Sequence, residues 1–439
     1  MIRTHVLLTL LASMAALPVG RTAAAAKALS ADELLASAPE RIEKHRKGDI
    51  TVLVVDGEKP AAGAAVEVAQ TSHEFLFGCN ALELSVTDKS PGQQAYQQRF
   101  AALFNYASLP FYWNSYEWKR GEPRSEPLKA MARWCTDHGI RPKGTPLVWQ
   151  QTMPRWMPRD MPNLVPVLRE RVRSIVSGFA GLIDTWDVIN ESTVAARSDN
   201  PVGQWVKQVG PIKAASEALS WARAANPRAT LILNDYNISP AYEEQIEGLI
   251  KARLAPDIIG IQSHMHWGQW RLERAWEVCE TYRRFRIPIH FTETTVLSGR
   301  IRSGDWQPRP GDWPSTPAGE RHQAAYVEQL YRILFSHPSV AAITWWDLSD
   351  RRAWQGAPAG LLREDMTPKP VYRQLMKMIK QEWWTRVSGK TNQDGQMKCR
   401  GFYGTYRITA TARDGRRAVK DVRLSKGDRG RVTLRLPTA

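Results

Sequence analysis

The chain has 439 residues, 43% of them hydrophobic and 24% charged, which excludes a disordered segment and leaves room for one large domain and a smaller companion. Its net charge of +16 is uneven, with 14 Lys and Arg against 4 Asp and Glu from Thr385 to Ala439. The cysteines Cys79, Cys135, Cys279 and Cys399 lie far apart with no CxxC or Cys/His spacing, which argues against bound metal and for buried thiols.

The first residues, MIRTHVLLTLLASMAALPVGRTAAAAKA, carry Arg3, an apolar run from Val6 to Val19 and an alanine-rich stretch. That pattern predicts a secretory signal over 1–26 and a periplasmic or extracellular protein. The run is about 14 residues against the roughly 20 that span a bilayer, and no later segment is long and apolar enough.

Residues 27–72 contain DITVLVVDGEKPAAGAAVEVAQ, two strands joined by a Gly/Pro turn. From 73 to 385 short runs rich in β-branched and aromatic residues alternate with amphipathic stretches. Strands are predicted at 75–79, 104–108, 142–148, 183–189, 230–235, 258–262, 289–292 and 341–346. Helical periodicity follows each of them, as in LKAMARWCTDHG, IKAASEALSWARAANP and HQAAYVEQLYRILFSH. Eight such units predict an α/β fold, a (β/α)8 barrel whose chemistry sits where the strands end.

The tail, 386–439, reads as four strands with Asp-Gly and Lys-Gly turns. Neither terminal piece has enough strand to stand alone, so the two are expected to pair into one small sandwich-like β domain. Its positive charge suits an acidic polysaccharide or an anionic surface, or is a solvated face. No nucleic-acid motif accompanies it.

Two strand ends present a glutamate, in WDVINE ending at Glu191 and in FTETT at Glu293. Two carboxylates projected into one barrel mouth suit glycoside hydrolysis, one attacking the anomeric carbon while the other protonates the leaving oxygen. Eighteen tryptophans reinforce this, because an indole lies well over the C–H face of a pyranose. Many follow predicted strands, whereas Trp134, Trp221 and Trp276 have helical spacing and read as core.

WDVINE, LILNDYNI, IIGIQSHM, the Thr-Glu at 292–293 and ITWWDLSD followed by LLREDMTPKPVY together resemble glycoside hydrolase family 10, the retaining endo-β-1,4-xylanases. The resemblance implies a barrel over roughly 73–382, with Glu191 as general acid/base and Glu293 as nucleophile. It implies that Asn190 holds the sugar's 2-hydroxyl, that Gln262 and His264 form the family's Gln-x-His, and that Trp346 and Trp354 wall the sugar at the cleavage point. Asn234 and Tyr236 join the expected sugar contacts.

The chain also departs from the family. Where the family carries Glu-Asn, two residues and Lys-Trp, this chain has Trp113, Asn114, Glu117 and Trp118. The family's Trp-His-x-Gln-x-Pro-x-Trp is here WQQTMPRW, with Trp149, Gln150 and Trp156 expected at the sugar. After the nucleophile, Leu-Asp has become Thr294-Thr295, so His264 loses an expected carboxylate partner and becomes easier to deprotonate.

The expected function is a secreted, monomeric retaining endo-β-glycosidase acting on β-1,4-xylan or a related plant cell-wall polysaccharide, without cofactor. Two alternatives stay open. One is hydrolysis of a different, acidic β-linked glycan, and the other is carbohydrate binding on a barrel without turnover.

Overall fold

The computed structural model describes residues 29–302 and 313–438, so the predicted signal segment lies outside the described residues. Eight parallel strands close into a barrel: Leu76–Asn80, Tyr106–Pro110, Arg141–Thr145, Thr185–Asn190, Thr230–Asp235, Ile258–Ile261, Ile289–Thr294 and Val340–Trp345. They match the eight predicted runs to within a few residues at each end. Their side chains are almost all buried, as expected for strands covered by helices outside and packed side chains inside.

Two glycines make room where the barrel is tightest. Gly144 pairs with Trp186 on the neighbouring strand, and a Cβ there would stand 2.1 Å from the fully buried indole. Gly260 lies against Asn234, whose side-chain oxygen would be 2.5 Å from an added Cβ. Gly144→Ala is expected to cost about 1–3 kcal/mol through overpacking. Urea unfolding checks this, and a wild-type midpoint would show that the indole can yield.

Several barrel helices start at residues that satisfy their free N–H groups. Asp160 caps Met161–Gly178 by accepting from the Asn163 N–H, and Thr316 caps Pro317–Ser336 through Gly319. Two helices of the 27–72 segment, Ala31–Ala36 and Ala38–Arg46, were not among the predicted elements, whereas Pro91–Leu103 is the helix expected after the first barrel strand. Ser30 and Glu33 form a reciprocal capping box that starts the first of them. At the end of the second, Arg46 is half-buried and donates to the carbonyls of Phe335, His337 and Val340. These bonds tie the N-terminal segment to the connection that enters the last barrel strand.

Beside the barrel lie two small sheets built from both ends of the chain. Lys47–Asp56 pairs antiparallel with Gln396–Phe402 and parallel with Arg431–Leu436. Ala65–His73 pairs with Arg386–Lys390 and Gly404–Thr411, and the latter with Arg417–Leu424. Val52, Val54, Val68, Tyr406, Ile408 and Leu434 form the core between them.

Cys79, Cys135 and Cys279 are buried, Cys399 is half-buried, and all four are free. Among the described residues no helix is long and apolar enough to cross a membrane, and no group of three or more His, Cys, Asp or Glu could hold a metal ion.

Candidate active site

Glu191 follows the fourth barrel strand in the left-handed region, at φ 56° and ψ 36°, which is uncommon for a residue with a side chain. The turn is held from both sides. The Glu191 N–H donates to the Asn234 carbonyl at 2.9 Å, while Asp235 accepts from the Thr193 N–H at 3.2 Å and the Thr193 hydroxyl at 2.9 Å. Strand register shifts between Asp187 and Ile189, and on the seventh strand between Phe291 and Thr294 around Glu293. Such irregularities re-aim side chains at a barrel rim.

Both carboxyls line one cleft of about 700 Å³ at the strands' C-terminal ends, and each residue is 6% exposed. A chain of amides links them. Gln262 Nε2 donates to Glu191 Oε1 at 3.2 Å and to Asn190 Oδ1 at 3.1 Å. Asn234 Nδ2 donates to the same Asn190 oxygen at 2.8 Å and to Glu293 Oε1 at 2.9 Å. Two donors on that oxygen fix the Asn190 amide, whose nitrogen then faces Glu191 Oε1 at 3.1 Å. Thr292 Oγ1 donates to Asn234 Oδ1 at 2.6 Å, completing the array.

WQQTMPRW supplies the other side of Glu191. Trp149 Nε1 donates to Glu191 Oε2 at 3.0 Å, with the amides of Gln150 at 3.4 Å and Gln151 at 3.5 Å. Burial pushes Glu191 up to about 7, against the pull of the Trp149 hydrogen bond and with the help of the Glu293 charge. Burial likewise pushes Glu293 up to about 8, with Lys143 opposing. Because they interact, the two titrate as a pair, and between about 7 and about 8 the pair holds one proton.

His264 Nε2 lies 2.9 Å from Glu293 Oε2. Its Nδ1 is buried with no hydrogen-bond partner among the described residues, and burial holds the imidazole down at about 3. The contact is therefore a hydrogen bond from a neutral ring, not an ion pair. Thr295 turns elsewhere, its hydroxyl accepting from the Met265 N–H at 2.9 Å and lying 3.2 Å from His266 Nδ1.

The structure brings Asn190, Trp149, Gln262, His264, Tyr236, Trp346 and Trp354 into the cleft with the two glutamates. Trp346 and Trp354 pack against the His264 ring at centroid distances of 5.4 and 4.8 Å. Asn234 and Gln150, expected on the sugar, instead sit behind the carboxyls, 0% and 3% exposed, where they orient the glutamates.

Trp113, Glu117, Trp156 and Asn114 need correction, because none of them lines this cleft. The short helix Trp113–Tyr116 sets Trp113 and Glu117 one turn apart, so that Trp113 Nε1 donates to Glu117 Oε2 at 3.2 Å. Trp113 stacks under the Arg171 guanidinium at 4.5 Å, and Trp156 Nε1 bonds the Glu117 carbonyl at 2.9 Å. These side chains fill a neighbouring hollow, while Asn114 is exposed and its N–H bonds the Thr152 carbonyl. Sequence reasoning missed Tyr112, Gln151 and Gln355 in the cleft wall. Only Gln151 carried a signal, as part of the amide pair beside Trp149.

A family model described as glycosyl hydrolase family 10 matches residues 67–378. Anti-sigma-I factor RsgI6 of Acetivibrio thermocellus is 27% identical over 391 residues, covering 85% of this chain and 46% of that protein. Endo-1,4-beta-xylanase B of Thermotoga neapolitana is 26% identical over 288 residues, covering 62% of this chain and 78% of the xylanase. This chain thus spans less than half the length of the first of these relatives. Among solved structures, xylanase 10B from Thermotoga petrophila RKU-1 in complex with xylobiose aligns with a TM-score of 0.59 at 23% identity, over 70% of this chain and 95% of that one. Native xylanase 10B from Thermotoga maritima gives 0.60 at 24%, over 70% and 96%. With the barrel and 312 of its residues matched, the chain belongs to glycosyl hydrolase family 10.

Proposed function

We propose that the protein is an exported retaining β-glycosidase that cleaves the β-1,4-xylan backbone or a closely related plant cell-wall glycan. The observation that carries this is the pair of buried glutamates facing one cleft and joined through the Asn190 amide. Ionised Glu293 attacks the anomeric carbon, held by the Asn234 amide and the neutral His264 ring. Protonated Glu191 gives its proton to the leaving oxygen, then takes one from the water that releases the glycosyl-enzyme. A value near neutrality suits a group that must act as acid and then as base. Trp346 and Trp354 offer indole walls to the sugar, and the leader over 1–26 supports export.

Release of reducing ends from plain xylan, glucuronoxylan and mixed-linkage glucan tests the reading. Intact xylan beside another cut polymer would reassign the substrate. The active form carries one proton on the pair, so kcat/KM is expected to be bell-shaped with its maximum between about pH 7 and 8. Activity falls below that range as the pair takes up a second proton and above it as the pair loses its last one. An optimum near the ordinary carboxylate range would contradict the burial argument. A second reading, glycan recognition without turnover, draws on the similarity to an anti-sigma-I factor over 85% of the chain. Binding of xylo-oligosaccharides with no product after long incubation decides for it.

A further inference from the structure

The positive charge of the tail is distributed unequally over the two small sheets. On the outer face of the sheet containing Ala65–His73, cations meet acids: Arg386 bonds Glu67 at 2.8 Å, Arg407 bonds Asp421 at 2.9 Å, and Arg423 lies 3.7 Å from Glu74. Three of the five cations on that face are so paired, and Lys390 and Arg417, at one end of the sheet, have no acidic partner among the described residues.

The outer face of the other sheet differs. Ile50, Val52 and Val54 point into the core, so Thr51 and Leu53, both half-buried, face outward along the central strand, and Val55 follows them, buried beside Pro60. In register, Lys398 and Arg431 flank Thr51, Gln396 and Thr433 flank Leu53, and Arg435 lies beside Val55. Thr51 and Leu53 thus run between two strands that carry cationic or hydrogen-bonding side chains, an arrangement called the trough below. Lys398, Arg431 and Arg435 are exposed, and among the described residues none has an acidic partner. The one acid on this face, Asp49, is engaged by Arg400 at 2.8 Å.

We infer that this trough is a binding site for an acidic polysaccharide, a uronic-acid-bearing chain lying along the strands. Lys398 and Arg431 stand two strand spacings apart, about 10 Å, and Arg431 and Arg435 four residues apart, about 13 Å. Those spacings suit carboxylates repeated along an extended sugar chain, and Thr51, Gln396 and Thr433 supply partners for its hydroxyls. The face carries no aromatic ring, which disfavours stacking of nucleic-acid bases or neutral sugars. It also has no protruding apolar side chain to enter a bilayer. The site is separate from the catalytic cleft, and its existence does not depend on turnover there.

The test is calorimetric titration of the full chain with polygalacturonate oligosaccharides, for wild type, Lys398→Gln/Arg431→Gln/Arg435→Gln, and a charge-matched control, Lys390→Gln/Arg417→Gln/Lys420→Gln. Wild type is expected to bind with an affinity that falls as salt rises. The trough variant should lose about tenfold, the control much less, and neutral xylo-oligosaccharides should show no difference among the three. An unchanged thermal midpoint shows that the trough variant is folded. Equal losses in both variants would reduce the effect to net charge and overturn the site. Binding to phosphatidylglycerol vesicles or DNA but not to polygalacturonate would overturn the ligand class.

Discussion

Glu293→Gln is expected to abolish turnover while stabilising the fold above acid pH. Glutamine keeps the volume and can still accept from Asn234, but it cannot form the glycosyl-enzyme, so kcat should fall at least about 10⁴-fold. The stability effect follows from burial. Glu293 rises from 4.5 to about 8, so the folded state holds its proton more tightly than the unfolded chain does. Below about 4.5 both states are protonated and the wild type bears no penalty. As pH rises from about 4.5 to about 8 the unfolded chain ionises while the folded one keeps its proton, so wild-type stability declines across that window. The melting temperatures of variant and wild type should therefore converge at pH 4 and separate towards pH 8. Unaltered hydrolysis by the variant would remove Glu293 from the mechanism, and a constant melting difference would remove the burial argument.

The second large effect lies beneath the cleft. Lys143 Nζ meets Asp187 Oδ2 at 2.6 Å with both side chains at 1% exposure or less. Lys143→Met strands a carboxylate in the barrel interior, and stability is expected to fall by about 3–5 kcal/mol. Lys143→Met/Asp187→Leu should recover most of it, because removing both charges removes the penalty of either alone. The ammonium is also the main influence opposing the burial of Glu293. Asp187 pushes Glu293 the other way, so the double variant removes two opposed influences and its pH–rate profile is expected to shift little. Urea unfolding and kcat/KM against pH check the two halves, and a single variant with a wild-type urea midpoint would show that the pair bears no load.

Most of the barrel was legible because its signals are local. Runs such as Thr230–Asp235 alternate with amphipathic helices such as Pro211–Ala225, and that period survives without knowledge of neighbours. Pro91–Leu103 was harder to see, since its buried Tyr96, Phe100 and Leu103 are interleaved with glutamines, one of which, Gln93, is itself buried. The pairing of the two glutamates was legible because both end strands, and a closed parallel barrel collects strand ends at one mouth.

Side-chain direction beyond the strand ends was not legible. Trp113 and Glu117 occupy positions that resemble sugar contacts, yet one helical turn points both into the hollow beside Arg171. Lys143 shows the same limit from inside the barrel: a lysine in RPKGT reads as solvent-facing until the next strand supplies Asp187. Residue order alone determined the eight strands, their helices, the two glutamates and the basic tail, because propensity, periodicity and charge belong to short segments. The tertiary structure alone decided which amides hold those glutamates, which tryptophans reach the cleft, and which cations stay unpaired on the small sheets. Those outcomes depend on contacts between segments hundreds of residues apart, as between Thr51, Lys398 and Arg431, and on rim dihedrals that no local pattern encodes.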